Sequence, residues 1–67
     1  MSPRQIGKML KARREGLGLT REQLAKKAKV TTAYVSMLEA GKRKNPSLPV
    51  LRRLAKELGV PVTELLG

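Results

Sequence analysis

The sequence predicts an all-α protein, a compact bundle of five short helices with no sheet. Two observations carry this prediction. Leu and Ala recur three and four residues apart, which is the period of a helix with one buried face. Residues that start helices, such as Ser and Thr, and Gly residues that end them lie between these apolar stripes. A chain of 67 residues has room for one domain, residues 1–67, with a small core.

The segment from Thr20 to Gly41 predicts two short helices joined by a tight turn. Thr20 followed by Gln23 is the pattern of a capping box, so Thr20 is expected to begin the first helix. Thr31 is a plausible N-cap for the second helix, and Gly41 suits the left-handed position after its end. The apolar stripes consist of Leu24, Ala25 and Ala28 in the first helix and of Val35 and Leu38 in the second.

The second helix of this segment has a face without charge or bulky β-branched residues. That face consists of Thr32, Ala33, Ser36, Met37 and Ala40. A helix face in contact with solvent would normally carry charged residues or Gln. The pattern is therefore compatible with a face that another molecule approaches closely, or with packing against another helix of the chain.

The segment resembles the helix-turn-helix of the phage-repressor and Cro type, the Xre-like family. The matching residues are Ala25, Val35 and Leu38, followed by the sequence Glu39-Ala40-Gly41-Lys42. The resemblance extends over nearly the whole chain, through Ile6, Leu10 and Arg14 before the motif and through Pro46-Ser47 and residues 54–60 after it. It implies a lambda-repressor-like DNA-binding fold in which the third helix, about residues 31–40, enters the major groove.

The resemblance also implies a division of roles among the residues of the motif. The base-contacting residues would be Thr32, Ala33, Ser36, Met37 and Ala40. Arg21 would hold a phosphate at the start of the first motif helix, where exposed backbone N–H groups also favour anions. Lys42, Arg43 and Lys44 are expected to contact the DNA backbone, with a solvated loop as the alternative. The hydroxyl of Tyr34 could donate to a phosphate, or the ring could simply pack.

Arg14 and Glu39 are expected to form a structural ion pair, as they do in the family, that ties the first helix to the third. Two residues depart from the family pattern. Lys29 occupies a turn position where glycine is usual, and a left-handed backbone there would cost on the order of 1 kcal/mol. Arg13 stands where an aliphatic residue is common, so the first helix is expected to bury less than usual.

The segments around the motif predict the other three helices. Ser2 and Pro3 suit the start of the first helix. Its expected buried residues are Ile6, Met9, Leu10 and Leu17, with Leu17 and Leu19 holding the following turn in the core. Ser47 is expected to cap a fourth helix that buries Leu51, Leu54, Ala55 and Leu58 and ends at Gly59. A fifth helix is expected at about residues 62–66.

The apolar residues of the fifth helix predict a dimer interface. Val62, Leu65 and Leu66 would otherwise leave an apolar patch at the end of the chain, and a small core benefits from extra burial. The alternative is that these residues complete the core of the monomer.

Composition narrows the classes of function. Fifteen Lys and Arg against five acidic residues give a net charge of +10, which indicates a polyanionic partner. No His or Cys is present to serve as a base, a nucleophile or a metal ligand, so neither an enzyme nor a metal or cofactor site is expected. No apolar run or signal peptide is recognisable, so the chain is expected to be cytoplasmic, with no membrane partner and no evident small-molecule ligand.

These expectations favour a sequence-specific regulator of transcription that binds double-stranded DNA. The resemblance implies a homodimeric repressor on a two-fold symmetric operator. The alternative is an antitoxin-like module that binds a protein partner as well as DNA.

Overall fold

The computed structural model describes residues 3–43 and 46–66, and these two ranges contain five α-helices and no strand. The helices are α1 (Pro3–Gly16), α2 (Arg21–Ala28), α3 (Thr32–Glu39), α4 (Leu48–Leu58) and α5 (Val62–Leu66). The predicted all-α class and its five helices are confirmed. The expected cap at Ser2 and the expected phosphate contact of Lys44 lie outside the described residues.

Side-chain caps begin three of the helices at the predicted residues. The Thr20 hydroxyl accepts a hydrogen bond from the Gln23 backbone N–H at 3.0 Å, and the Gln23 side chain accepts from the Thr20 N–H at 2.8 Å. Thr31 caps α3 and Ser47 caps α4 by the same kind of bond. Each cap satisfies an N–H group that lacks a partner within its helix, which is why these residues set the boundaries.

The turn between α2 and α3 holds Lys29 in a left-handed conformation, with φ 59° and ψ 43°. Among the described residues it is the only non-glycine residue with positive φ. The backbone N–H of Lys29 donates to the carbonyl of Lys26, and that of Val30 donates to Ala25, so the conformation ends α2 in a regular way. Lys29 therefore departs from the family pattern as expected. It places a side chain at a left-handed position that glycine would adopt without strain.

Replacing Lys29 with glycine should raise the free energy of unfolding by about 1 kcal/mol, because it removes the contact between Cβ and the carbonyl oxygen in the left-handed conformation. The gain is reduced by the greater freedom of glycine in the unfolded chain. Thermal or urea denaturation would measure the change. Glycine at exposed Lys26, inside α2, is the matched control and should destabilise by about 1 kcal/mol. A lower stability for Lys29→Gly would contradict the backbone argument.

The core is formed by one apolar face from each helix. Its buried residues are Ile6, Leu10, Leu24, Ala25, Ala28, Val35, Leu38, Leu51, Leu54, Ala55, Leu58 and Leu65. The helix α1 crosses the end of α3 so closely that a Cβ on Gly7 would lie 2.4 Å from the carbonyl oxygen of Leu38. Glycine at this position allows the backbones to approach and sets the orientation of α3.

The structure corrects two of the expected burial assignments. Leu17 is 54% exposed and does not join the core, because α1 ends at Gly16 and the residue no longer follows the helical stripe of Ile6 and Leu10. Leu65 is only 1% exposed in the monomer. Its side chain therefore completes the monomer's own core and has no surface left for a dimer interface. Val62 is partly buried against the same core.

Arg13, which stands where an aliphatic residue is common in the family, forms a contact between two helices. Its guanidinium forms an ion pair with Glu64 of α5, and its side chain remains 45% exposed. An aliphatic residue at this place could pack only through burial, whereas Arg13 links α1 to α5 across the surface. Such an exposed pair contributes about 0.2–1 kcal/mol.

Candidate nucleic-acid interface

The two faces of α3 differ as the sequence predicts. Val35 and Leu38 are buried, and Met37, on the other face, is 41% exposed. Thr32, Ala33 and Ala40 are exposed as well, and Ser36 is partly buried. The structure therefore brings the five predicted base-contacting residues together on one outward, uncharged surface. The alternative that this face packs against another helix of the same chain is wrong for the exposed residues.

A buried carboxylate fixes the orientation of α3. The side chain of Glu39 is 2% exposed, and it accepts hydrogen bonds from Arg14 at 2.6 Å to Oε2 and at 3.0 Å to Oε1. Arg14 also donates to the carbonyl of Leu19 at 2.8 Å, so the guanidinium joins the turn after α1 to α3. The predicted pair of Arg14 and Glu39 is thus present in two-bond geometry, which is the stronger form of this contact.

Glu39 also holds Arg21, which the sequence indicated only as a phosphate contact. The Nε atom of Arg21 donates to Oε1 of Glu39 at 3.0 Å, while the Arg21 side chain stays 47% exposed. Burial alone would raise the pKa of Glu39, but the hydrogen bonds and charges of Arg14 and Arg21 hold it below its ordinary value of 4.5. The carboxylate therefore places Arg21 beside the end of α3, with nearly half of the Arg21 side chain exposed.

Tyr34 and Arg43 form a second arrangement beside α3. The Arg43 guanidinium lies over the Tyr34 ring, 4.8 Å from the ring centroid, which is within cation–π range. The Tyr34 hydroxyl is buried and has no hydrogen-bond partner. In the free protein this oxygen is shielded from solvent, and the expectation that it donates to a phosphate stays a prediction. Packing, the other reading of Tyr34, matches the structure.

Replacing Tyr34 with phenylalanine should leave the free energy of unfolding unchanged or raise it by up to about 1 kcal/mol. The substitution removes a buried hydroxyl that bonds to nothing, and it keeps the ring under Arg43. Urea denaturation would measure it, with Tyr34→Leu as the control that also removes the ring. A loss of more than 1 kcal/mol in the phenylalanine variant would show that the hydroxyl has a stabilising partner.

The loop after α3 carries the remaining predicted phosphate contacts. Lys42 and Arg43 are both exposed, and Gly41 turns the chain with φ 72°. The Lys42 backbone N–H donates to the carbonyl of Met37 at 2.9 Å, which fixes where the basic loop leaves α3. Arg21 and this loop both lie close to the C-terminal end of α3, one joined to Glu39 and the other following Gly41.

One contact that orients the motif was missed by the sequence analysis. The Nε atom of Arg53, in α4, donates to the carbonyl of Ala28 at 3.0 Å, at the C-terminal end of α2. Arginine near a helix end often bonds a carbonyl that has no helical partner. Nothing in the sequence spacing could have indicated it, because the two residues are brought together only by the packing of α4 on α2.

No group of three or more His, Cys, Asp or Glu that could hold a metal ion occurs within residues 3–43 and 46–66. In that part of the chain no helix has the length and apolar character needed to cross a membrane.

Comparison with known proteins gives a consistent result. Residues 10–65 match the Helix-turn-helix family model HTH_3. The immunity repressor of Bacillus phage phi105 is 39% identical over 62 residues, which is 92% of this chain and 42% of the repressor. The chain therefore spans less than half the length of that relative.

Solved structures of similar chains share the fold. The N-terminal DNA-binding domain of SinR from Bacillus subtilis superposes with a TM-score of 0.91 at 34% identity, covering 96% of this chain and 93% of that one. SinR in complex with DNA gives a TM-score of 0.88 at 35% identity, covering 92% of this chain and 98% of that one.

Proposed function

Because this chain belongs to the Helix-turn-helix family, we propose that it is a sequence-specific regulator of transcription, a repressor that binds double-stranded DNA. The observation that carries the proposal is the uncharged outward face of α3 with Arg21 and Arg43 at its edges. The net charge of +10 supports it, since neutralising phosphates is the main source of affinity for DNA. The solved complex of SinR with DNA supports it as well.

In the proposed complex, α3 lies in the major groove with Thr32, Ala33, Ser36, Met37 and Ala40 toward the bases. None of these side chains can make the two-bond contact by which Arg, Asn or Gln read a purine. Met37 and the alanines can contact thymine methyl groups, and Thr32 and Ser36 can bond directly or through water. Direct reading should therefore favour thymine, and the rest of the specificity should come from DNA shape.

The edges of α3 supply the phosphate contacts in this proposal. Arg21, held by Glu39, would bind one phosphate, and Lys42, Arg43 and Lys44, which follow the same end of α3, would contact the DNA backbone nearby. Arg43 must leave the Tyr34 ring to reach far into a groove.

We assign no catalytic role to the protein, and we expect it to act in the cytoplasm as one domain, residues 1–67.

We further propose that the repressor acts as a homodimer on a two-fold symmetric operator. After the correction for Leu65, the contact would involve Val62 together with Leu66, whose side chain lies outside the described residues. Two copies would place their α3 helices about 34 Å apart, one turn of DNA. Half-sites would then be separated by about ten base pairs.

Selection of bound duplexes from a random-sequence pool tests the proposal directly. A repressor of this kind should enrich a palindrome rich in A·T base pairs, with half-sites one turn apart. Enrichment of a single half-site would contradict the dimer but keep DNA recognition. A pool that stays random, together with one tight protein partner in a pulldown, would favour the antitoxin-like alternative.

Replacing Met37 with glutamine should change the preferred base at one or two positions of the selected site. Glutamine can bond adenine in the major groove, whereas methionine offers only an apolar contact, and the expected change is about 1–3 kcal/mol in discrimination at those positions. Binding to variant duplexes, measured by fluorescence anisotropy, would show it. The salt dependence should stay nearly the same because no charge changes.

The matched control is Arg21→Ala, which should weaken binding to all sequences alike. Lys44→Ala should behave in the same way. The assignment of faces would be reversed if Met37→Gln left the selected site unaltered while Lys44→Ala changed its sequence.

A further inference from the structure

A cavity lined by cations lies at the C-terminal end of α2. Its volume is about 190 Å³, and its lining residues are Lys27, Lys29, Arg53, Lys56 and Glu57. This end of α2 is separated from Arg21 by the length of the helix, about 10 Å at 1.5 Å per residue. The space is several times the ~30 Å³ that one water takes up in the liquid, so a tetrahedral oxyanion would fit.

The charges around the cavity are not neutralised by the protein. The ion pairs in the described part of the chain join Arg13 to Glu64 and Arg14 and Arg21 to Glu39, and none involves a residue of the cavity. Four cations and the single carboxylate of Glu57 leave a formal charge of +3. Like charges brought together in this way repel one another, so the arrangement lowers stability unless an anion binds.

Two of these four cations have distinct structural features. Arg53 is anchored by its hydrogen bond to the carbonyl of Ala28 at 3.0 Å. Lys29 projects from a left-handed residue with φ 59°, a conformation that persists at a cost of about 1 kcal/mol. The dipole of α2 explains a cation near its C-terminal end. It does not explain why a strained lysine stands where glycine would relieve the strain.

We propose that Lys27, Lys29, Arg53 and Lys56 form a second anion site, which binds a phosphate group at the end of α2 opposite Arg21. In this site the ammonium group of Lys29 contributes one of the four positive charges. The proposal does not depend on base recognition by α3, since it concerns the free protein and a simple anion.

Titrating the uniformly labelled protein with inorganic tripolyphosphate at low salt, followed by NMR, tests the site. The amide signals of the four cations and of Ala28 should shift together and saturate. Lys29→Asn, which tolerates the left-handed backbone, should weaken the affinity about two- to fivefold, and Glu57→Gln should strengthen it by a similar factor. Lys11→Gln is the control, because it removes one exposed charge of α1 outside the cavity.

The proposal is wrong if Lys11→Gln weakens binding as much as Lys29→Asn, since total charge would then explain the effect. It is also wrong if the largest shifts occur at Arg21 and Arg43. A phosphate could come from a free oligophosphate or from a DNA backbone, and adding a duplex distinguishes the two sources. If the duplex displaces tripolyphosphate from the four cations, the site binds phosphates of the DNA backbone. If the duplex and tripolyphosphate bind at the same time, the site binds a free anion.

Discussion

Replacing Glu39 with glutamine is expected to lower the free energy of unfolding by about 3–5 kcal/mol, because it leaves the guanidinium of Arg14 without its carboxylate in a buried place. Arg14 is 7% exposed and bonds Glu39 through two nitrogens, so neither partner can turn to water. Typical domains have only about 5–15 kcal/mol of stability, so this variant should melt far below the parent. Urea denaturation would measure the loss.

The dependence of the unfolding free energy on pH in the acid range gives a second measurement of the Glu39 carboxylate. Since the pKa of Glu39 is lowered on folding, its contribution is fully present above its ordinary value of 4.5 and is lost as the pH falls through the folded pKa. The parent should therefore lose stability below about pH 4.5, and Glu39→Gln should lack that part of the loss. The other carboxylates contribute equally to both curves and cancel in the difference.

The control for this variant is Glu22→Gln, which removes an exposed carboxylate from the first turn of α2. It should cost about 0.3–1 kcal/mol through the helix dipole. A loss below 1 kcal/mol for Glu39→Gln would mean that Arg14 finds water or another acceptor, and the network would then not be what orients α3.

Affinity for DNA should fall steeply with salt. If each subunit of a dimer engages about three to five phosphates, the slope of log K against log salt should be about −5 to −9. Between 50 and 200 mM salt this corresponds to a loss of about 10³–10⁵ in affinity. Fluorescence anisotropy with the selected duplex across a salt series would measure the slope.

Variants of single cations should change this slope in a defined way. Arg21→Ala should reduce its magnitude by about one for each subunit, whereas Met37→Gln should leave it unchanged. A nearly flat dependence on salt would contradict nucleic-acid binding altogether, whatever the selected sequence. A steep slope with no selected sequence would retain nucleic-acid binding but remove its specificity.

The sequence by itself determined where α2, α3 and α4 begin and which of their faces are buried. Thr20, Thr31 and Ser47 cap helices through bonds to residues three positions away, and Gly59 ends α4 in the left-handed conformation expected of it. These are interactions within one turn, so the spacing of residue types is enough to predict them. The uncharged face of α3 is predictable for the same reason, since helical periodicity alone assigns it.

Only the tertiary structure decided how cations and apolar residues from different helices meet. Arg21 bonds Glu39, Arg43 covers Tyr34, and Arg53 reaches the carbonyl of Ala28, and each contact joins segments that no local pattern relates. Leu17 faces solvent and Leu65 enters the core because the end of α1 and the docking of α5 set their directions. Long flexible side chains and residues at helix ends have several local options, and the packing of neighbouring helices selects among them.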